Sequence, residues 1–317
     1  MSENFSLDSS VMKVLIVGNY NKGNFSPFIT EQIDSLQKKG VYVDTYGIIG
    51  KGLLGYLKNV KGIRHKILKF KPDIVHAHYG LSGLCANLQR IVPVITTYHG
   101  SDIHSGGWIL LLSKIAIWLS KYNIFISKKL LDLSGYKGNN ISIIPCGIDM
   151  NMIKDIPREE AKRKIGSKEK FVLFASSFSN KVKNFPLAKK AMEFVEGVEI
   201  KELNGYTRQE VSLLMNAADC LLMTSDREGS PQVIKEAMAC GTPIVSVDVG
   251  DVKDIISSTR GCFIANRSPE DIADKVKLAL SFNDKTLGRK RIIELGLSND
   301  IVANRLIKIY KQVANIS

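Results

Sequence analysis

A chain of 317 residues is longer than one ordinary domain needs, so two domains are the first expectation. Hydrophobic residues make up 44% of it, enough for globular cores, and no apolar run reaches the roughly 18 residues that cross a bilayer. The net charge of +13 calls for an anionic partner, but no nucleic-acid-binding motif accompanies it, so nucleic acid is not expected.

Residues 1–10 are polar and acidic, without the regions of a secretory leader, and read as a disordered tail. Residues 13–18 form a short apolar strand. A loop containing Gly23 leads to a helix capped by Ser26, with Pro27 at its first position and Gly40 past its end. Residues 41–46 are the next strand. From Lys51 to Lys71 there are seven lysines and arginines and no acid, interleaved with apolar residues at helical spacing. Such a helix suits an anionic membrane surface through Lys58, Lys61, Arg64 and Lys66, or is simply the solvated face of a helix packed on a sheet. Strands follow at 73–78, 93–98, 122–126 and 141–144, with a helix at 81–89. Residues 108–119 read as a core helix, with a membrane-facing role as the alternative.

The alternation restarts near Lys170. Strands are expected at 171–175, 198–203, 219–224, 243–247 and 261–264, and helices at 186–195, 208–216, 231–240 and 269–281. Two more helices close the chain, 284–295 and 299–314. Apolar strands separated by helices predict an α/β protein with parallel sheets covered on both faces. The expected division is residues 11–153, residues 154–298, and a final helical segment, 299–317, that packs back on the first domain. Ligands of such sheets bind at the carboxyl ends of the strands.

The five cysteines are scattered, with no Cys-x-x-Cys spacing, and read as reduced thiols rather than a disulfide frame or zinc site. That usage fits a cytoplasmic protein. His76 and His78 point the same way on a strand, but no third ligand is identifiable, so a metal is not expected. A strand-end role toward an acceptor suits His78 better.

The most informative stretch runs from Glu228 to Glu236. Ser230 reads as a helix cap, Pro231 as its first residue and Gly241 as its stop. Glu228 then precedes the helix and Glu236 lies on it. The N–H groups at that helix start can hold an anion, and flanking carboxylates suit a ligand bearing both phosphates and sugar hydroxyls.

Four stretches in order, Pro72–His78, Thr97–Asp102, Ile144–Asp149 and Glu228–Glu236, resemble glycosyltransferase family 4 (group 1), retaining enzymes of GT-B fold. The resemblance covers nearly the whole chain. It implies two Rossmann-like doubly wound domains facing a central cleft. It implies a UDP- or GDP-sugar donor, with Glu228 on the transferred sugar and Glu236 on the ribose. Gly229, Ser230, Pro231, Gln232 and Val233 would line sugar and diphosphate, and Lys183 would neutralise the diphosphate. His99 would sit over the donor sugar, with Glu228 one of two catalytic candidates, and Gly23, His78 and Asp102 on the acceptor side. No cofactor is implied, and with no Asp-x-Asp pair no metal is expected. The acceptor would be a glycan or lipid-linked glycan of surface polysaccharide synthesis, at the inner face of a membrane. The chain departs from the family pattern at Ser176 and Ser177, where an arginine is common, and in the loop Gly18–Gly23, which lacks paired glycines. An epimerase or phosphorylase of the same fold, or a non-catalytic nucleotide-sugar-binding subunit, are the competing readings. A dehydrogenase is disfavoured because the first strand–helix turn lacks Gly-x-Gly-x-x-Gly.

Overall fold

The computed structural model describes residues 11–316, so the tail expected at residues 1–10 lies outside the described residues. The chain forms two compact units, one running to Gly147 and resuming at Asn299, the other Ile148–Ser298. The first unit contains β1 (Lys13–Asn19), α1 (Pro27–Lys38), β2 (Tyr42–Ile48), α2 (Gly52–Leu57), α3 (Val60–Phe70), β3 (Ile74–His78), α4 (Gly80–Asn87), β4 (Val94–Tyr98), α5 (Ser101–His104), α6 (Gly107–Leu119), β5 (Tyr122–Phe125), α7 (Lys128–Ser134) and β6 (Ile141–Ile143). Its sheet is parallel throughout, in the order β2-β1-β3-β4-β5-β6. The unbroken apolar run of β1 follows from burial on both faces. Val14 and Ile16 pack with Ile29 and Leu36 of α1, whereas Leu15 and Val17 pack with Ile63 and Ile67 of α3.

The second unit contains α8 (Arg158–Ile165), β7 (Phe171–Phe174), a 3-10 turn (Lys181–Lys183), α9 (Phe185–Met192), β8 (Glu199–Glu202), α10 (Arg208–Ala217), β9 (Cys220–Met223), α11 (Gln232–Ala239), β10 (Ile244–Val247), α12 (Val252–Ile256), β11 (Cys262–Ala265), α13 (Pro269–Ser281) and α14 (Gly288–Glu294). Its parallel sheet has the order β11-β10-β9-β7-β8. The final helix, α15 (Asn299–Ala314), belongs to the first unit. Its Val302, Leu306, Ile309 and Val313 join the core beside α1, and Tyr310 Oη lies 2.6 Å from His76 Nδ1.

The chain changes units at Gly147–Ile148, earlier than the boundary expected at 153–154. The reason is that these residues are anchored rather than loose. Ile148 N–H donates to Leu297 O at 2.9 Å, Ile153 is buried in the second core, and Arg289 donates to the carbonyls of Met150 and Ile153.

The basic segment is also altered. It is two helices, because Asn59 turns its side-chain amide onto the Gly55 and Tyr56 carbonyls and ends α2. The apolar face of α3 is spent in the core through Ile63 and Ile67. Lys58, Lys61 and Arg64 remain exposed, while Lys66 is paired with Asp44 at 2.6 Å. With Ile63 and Ile67 in the core, Leu68 is the large apolar residue that α3 leaves exposed beside these basic groups.

In each sheet the strand order reverses once, between β1 and β3 in the first and between β7 and β9 in the second. The loops that diverge at such a point leave a crevice at the strand ends.

Candidate functional site

The second switch point gathers Lys183 and Glu228. Lys183 ends the 3-10 turn after β7, and Glu228 lies in the loop after β9. The two loops are tied together. Thr224 Oγ1 donates to the carbonyls of Lys183 and Asn184, both at 3.0 Å, and Asp226 N–H donates to Val182 O at 2.9 Å. Asn184 is held in the left-handed region at φ 51° and donates from its side chain to Asp226 Oδ1. That clamp aims Lys183 Nζ at Glu228 Oε1, 2.6 Å away, with both side chains largely buried. A cation and a carboxylate held this closely, before a helix start, form a dipolar site suited to an anion next to a polyol. Lys181 stays on the exposed side of the same turn.

The helix start differs from expectation by one residue. Pro231 takes the cap position with extended backbone, and α11 begins at Gln232. Ser230 is not the cap: its hydroxyl donates to Asp251 Oδ2 at 2.7 Å. A buried carboxylate is the stronger acceptor, so the hydroxyl is drawn away from the helix. Gly250 supports the same loop. Its φ is +57°, and a side-chain carbon there would fall 2.8 Å from Gly229 O. The single loop between β10 and α12 thus holds both Gly229 and Ser230 from behind. The first-turn N–H groups of α11, including those of Gln232 and Val233, have no intrahelical acceptor and carry the positive end of the helix dipole. Gly241, left-handed at φ 68°, stops the helix as expected.

Glu236 is buried on α11 and ion-paired with Arg208, the first residue of α10. Thr207 and Glu210 form a capping box that fixes this helix end. Sequence reasoning missed Arg208, which lies on a neighbouring helix with no fixed spacing to Glu236.

The first switch point opens a cavity of about 770 Å³ inside the first unit. Asn19 at the end of β1, Asn21 and Lys22 from the loop after it, Tyr56 of α2, and Tyr79 after β3 line it, together with Ser101, Asp102, Ser105 and Ile109. Amide, hydroxyl and aromatic groups with a single lysine suit a neutral or anionic sugar. Gly23 closes the turn that presents these asparagines, at φ 76°, with its N–H on Tyr20 O. Asp102 lines the cavity, yet its carboxylate is used on the backbone, accepting N–H bonds from Gly80, His99 and Gly100. It shapes two loops and is poorly placed to take a proton from a ligand. Tyr79 has φ 74°, a strained value for a bulky residue and a mark of functional sites.

His99 packs against the rings of Phe28 and Tyr79, both at ring-centroid distances of 4.7 Å, and those two rings also touch each other edge-on. Its Nε2 lies 2.9 Å from His78 Nδ1, and Cys146 Sγ lies 3.7 Å from its Nδ1. A proton between two facing imidazole nitrogens makes one the donor and the other the acceptor. His76, the other member of the strand pair, places its nitrogens 2.6 Å from Tyr310 Oη and 2.7 Å from Thr97 Oγ1.

These buried groups set an acid limit on stability. Burial holds His78 down at about 3 and drives His76 well below 6.5. The unfolded chain binds these protons near pH 6.5, so it binds more protons than the folded chain as pH falls, and stability is lost. At pH 5 the loss from His78 alone is about 2 kcal/mol, and His76 adds to it. Asp102 opposes this. Burial pushes it up to about 6 against the backbone donors that lower it, so the folded chain keeps a proton the unfolded chain releases near 3.8. Between pH 8 and 5 that returns only about 1 kcal/mol. The melting temperature should therefore fall between pH 7 and 5, and fall less in His78→Gln. A flat or rising profile in the unsubstituted chain contradicts the neutral buried histidines.

The model of "Glycosyl transferases group 1" matches residues 198–294, which include Glu228 and Glu236, and that of "Glycosyltransferase Family 4" matches residues 29–151, which include His78, His99 and Asp102. A Bacillus subtilis protein, TuaC, named as a glycosyltransferase of teichuronic acid biosynthesis, is 24% identical over 65% of this chain and 60% of its own length. The N,N'-diacetylbacillosaminyl-diphospho-undecaprenol alpha-1,3-N-acetylgalactosaminyltransferase of Campylobacter jejuni is 28% identical over 39% of this chain and 33% of its own. The chain therefore spans less than two thirds of both relatives. Among solved structures, a sucrose-phosphate synthase from Thermosynechococcus elongatus superposes with TM-score 0.84 at 15% identity, covering 96% of this chain and 100% of the other. Anabaena HepE in complex with UDP gives 0.76 at 15%, covering 95% and 100%. At such identity the likeness shows the fold, which is GT-B.

Proposed function

Since this chain belongs to the group 1, family 4 glycosyltransferases, we propose that it transfers a sugar, with retention, from UDP- or GDP-sugar to a glycan or lipid-linked acceptor without a metal. The observation that carries this is the 2.6 Å Lys183–Glu228 pair at a sheet switch point, one loop before the start of α11. The UDP held by HepE and the diphospho-undecaprenol substrate in the Campylobacter enzyme's name support the donor and acceptor classes. The teichuronic acid role named for the Bacillus relative supports surface polysaccharide synthesis, at the inner face of a membrane.

In this reading the bond from sugar C1 to the diphosphate oxygen breaks as positive charge grows on the sugar. Lys183 and the first N–H groups of α11 hold the departing diphosphate. Glu228 faces the cation-like sugar and stabilises it without forming a bond. The acceptor hydroxyl attacks from the face the diphosphate leaves, and its proton passes to the departing phosphate oxygen. Glu236, oriented by Arg208, takes the ribose hydroxyls. His99 is the second catalytic candidate, and its 2.9 Å contact with His78 sets which of its nitrogens carries the proton. Lacking an arginine near Ser177, the chain relies more on Lys183 and the helix start, which Ser230, Asp251 and Gly250 keep in place.

The test is donor hydrolysis across UDP-, GDP- and ADP-sugars, with the released anomer read by NMR. Slow hydrolysis of one donor, a retained anomer and indifference to EDTA are expected. An inverted anomer overturns retention, and loss with EDTA overturns metal independence. Neither hydrolysis nor thermal stabilisation by any of these donors overturns the reading itself.

A further inference from the structure

We infer that the outer face of α6 is a membrane-docking surface that seats the first unit on an anionic bilayer, Trp108 and Trp118 lying in the lipid interface. The inference names a partner surface for the proposed acceptor chemistry, and its test needs no sugar transfer.

Helix α6 is apolar nearly all round, which ordinarily means burial in a core or in lipid. Expected as a core helix, it is one on a single face only. That face includes two small residues. Ser113 and Ala116 are buried together with Ile117, and Ser113 Oγ donates to Asp102 O at 2.9 Å. Gly80 permits this close packing, since a side-chain carbon there would meet Ser113 Oγ at 2.1 Å. The large residues are left outside. Trp108, Leu111, Ile115 and Trp118 are 52%, 61%, 39% and 79% exposed, and their spacing puts them on one stripe. An exposed stripe of this composition needs an occupant.

Charge and chemistry identify it. From Gly106 to Asn140 the chain carries Lys114, Lys121, Lys128, Lys129 and Lys137, all exposed, against one acid, Asp132, which sits 3.8 Å from Lys128. Lys114 on the helix itself, and the exposed lysines that follow it in the chain, complement anionic headgroups. The only two tryptophans of the protein are both on this stripe, and tryptophan favours the headgroup level. The stripe also adjoins the cavity, because Ile109 of the same helix and Ser105 just before it line that space. Tyr56 brings α2 to the cavity as well, and α2 exposes Leu54 at 76% beside Lys51 and Lys58. The cavity thus borders two elements that present apolar and basic groups. No helix among the described residues is long and apolar enough to cross a membrane.

Both tryptophans being in the patch makes the test direct. Full-length protein is mixed with vesicles of phosphatidylglycerol and phosphatidylcholine, and emission is followed, with brominated lipid as quencher. A blue shift, quenching by bromine, and weakening at high salt are expected. Trp118→Ser should reduce vesicle affinity about tenfold, and Leu111→Ser by a similar factor, with melting temperature and donor hydrolysis unchanged. Trp118→Phe should retain most of the binding. Tryptophan emission indifferent to saturating anionic vesicles overturns the inference. So does a blue shift that follows protein concentration without vesicles, which marks a self-association face instead.

Discussion

Glu228→Gln is expected to lower the rate of sugar transfer at saturating donor by about 10²–10³-fold, with little change in donor KM. The substitution keeps size and an acceptor oxygen and removes only the negative charge. That charge matters most when the sugar becomes cation-like, so its loss falls on the transition state rather than on the bound donor. Some stability should also be lost, about 1–3 kcal/mol, because both side chains are largely buried and Lys183 is left with a neutral acceptor. The measurement is single-turnover transfer, or donor hydrolysis where the acceptor is unknown, beside a melting curve. Unchanged turnover in a folded Glu228→Gln protein removes Glu228 from the mechanism. A collapse in melting temperature instead assigns it a structural role.

How far the sequence disclosed this site depends on whether the relevant partner is local. The Glu228–Glu236 segment was readable because proline and glycine punctuate its helix, and the pattern of apolar strands disclosed two parallel sheets. Ser230 was misread as a cap because its true partner, Asp251, is 21 residues away and reaches it only through the fold. Arg208 was invisible for the same reason. So was the left-handed backbone of Tyr79, since nothing in its side chain announces strain. The basic segment and α6 make a sharper pair. Periodicity showed that α3 is amphipathic, but not that Ile63 and Ile67 would be consumed by the core. In α6 the discriminating signal was present in Ser113 and Ala116. Small residues on one face allow close packing there and leave the large ones outward. Strand order, and with it the two switch points, has no local signature.

Lys183→Ala should do more damage to donor binding than Glu228→Gln, and the two should not be additive. Removing the lysine takes away the cation expected to hold the diphosphate. It also leaves the Glu228 carboxylate, only 15% exposed, without its 2.6 Å partner and facing an anionic ligand. The loss therefore combines a missing attraction with a new repulsion. A donor KM raised by about 10–100-fold is expected, with kcat/KM down by about 10²–10³. Adding Glu228→Gln to Lys183→Ala relieves the repulsion. The double variant should bind UDP several-fold more tightly than Lys183→Ala alone, while its turnover stays as low as that of the worse single variant. Calorimetric titration of UDP into the four proteins closes the cycle, and the coupling should be of order 1–2 kcal/mol, in the range for charged neighbours. Strict additivity in binding would mean that the pair seen in the fold does not persist beside the diphosphate. A double variant weaker than Lys183→Ala would mean that Glu228 attracts the nucleotide, reversing the division of roles between the two residues.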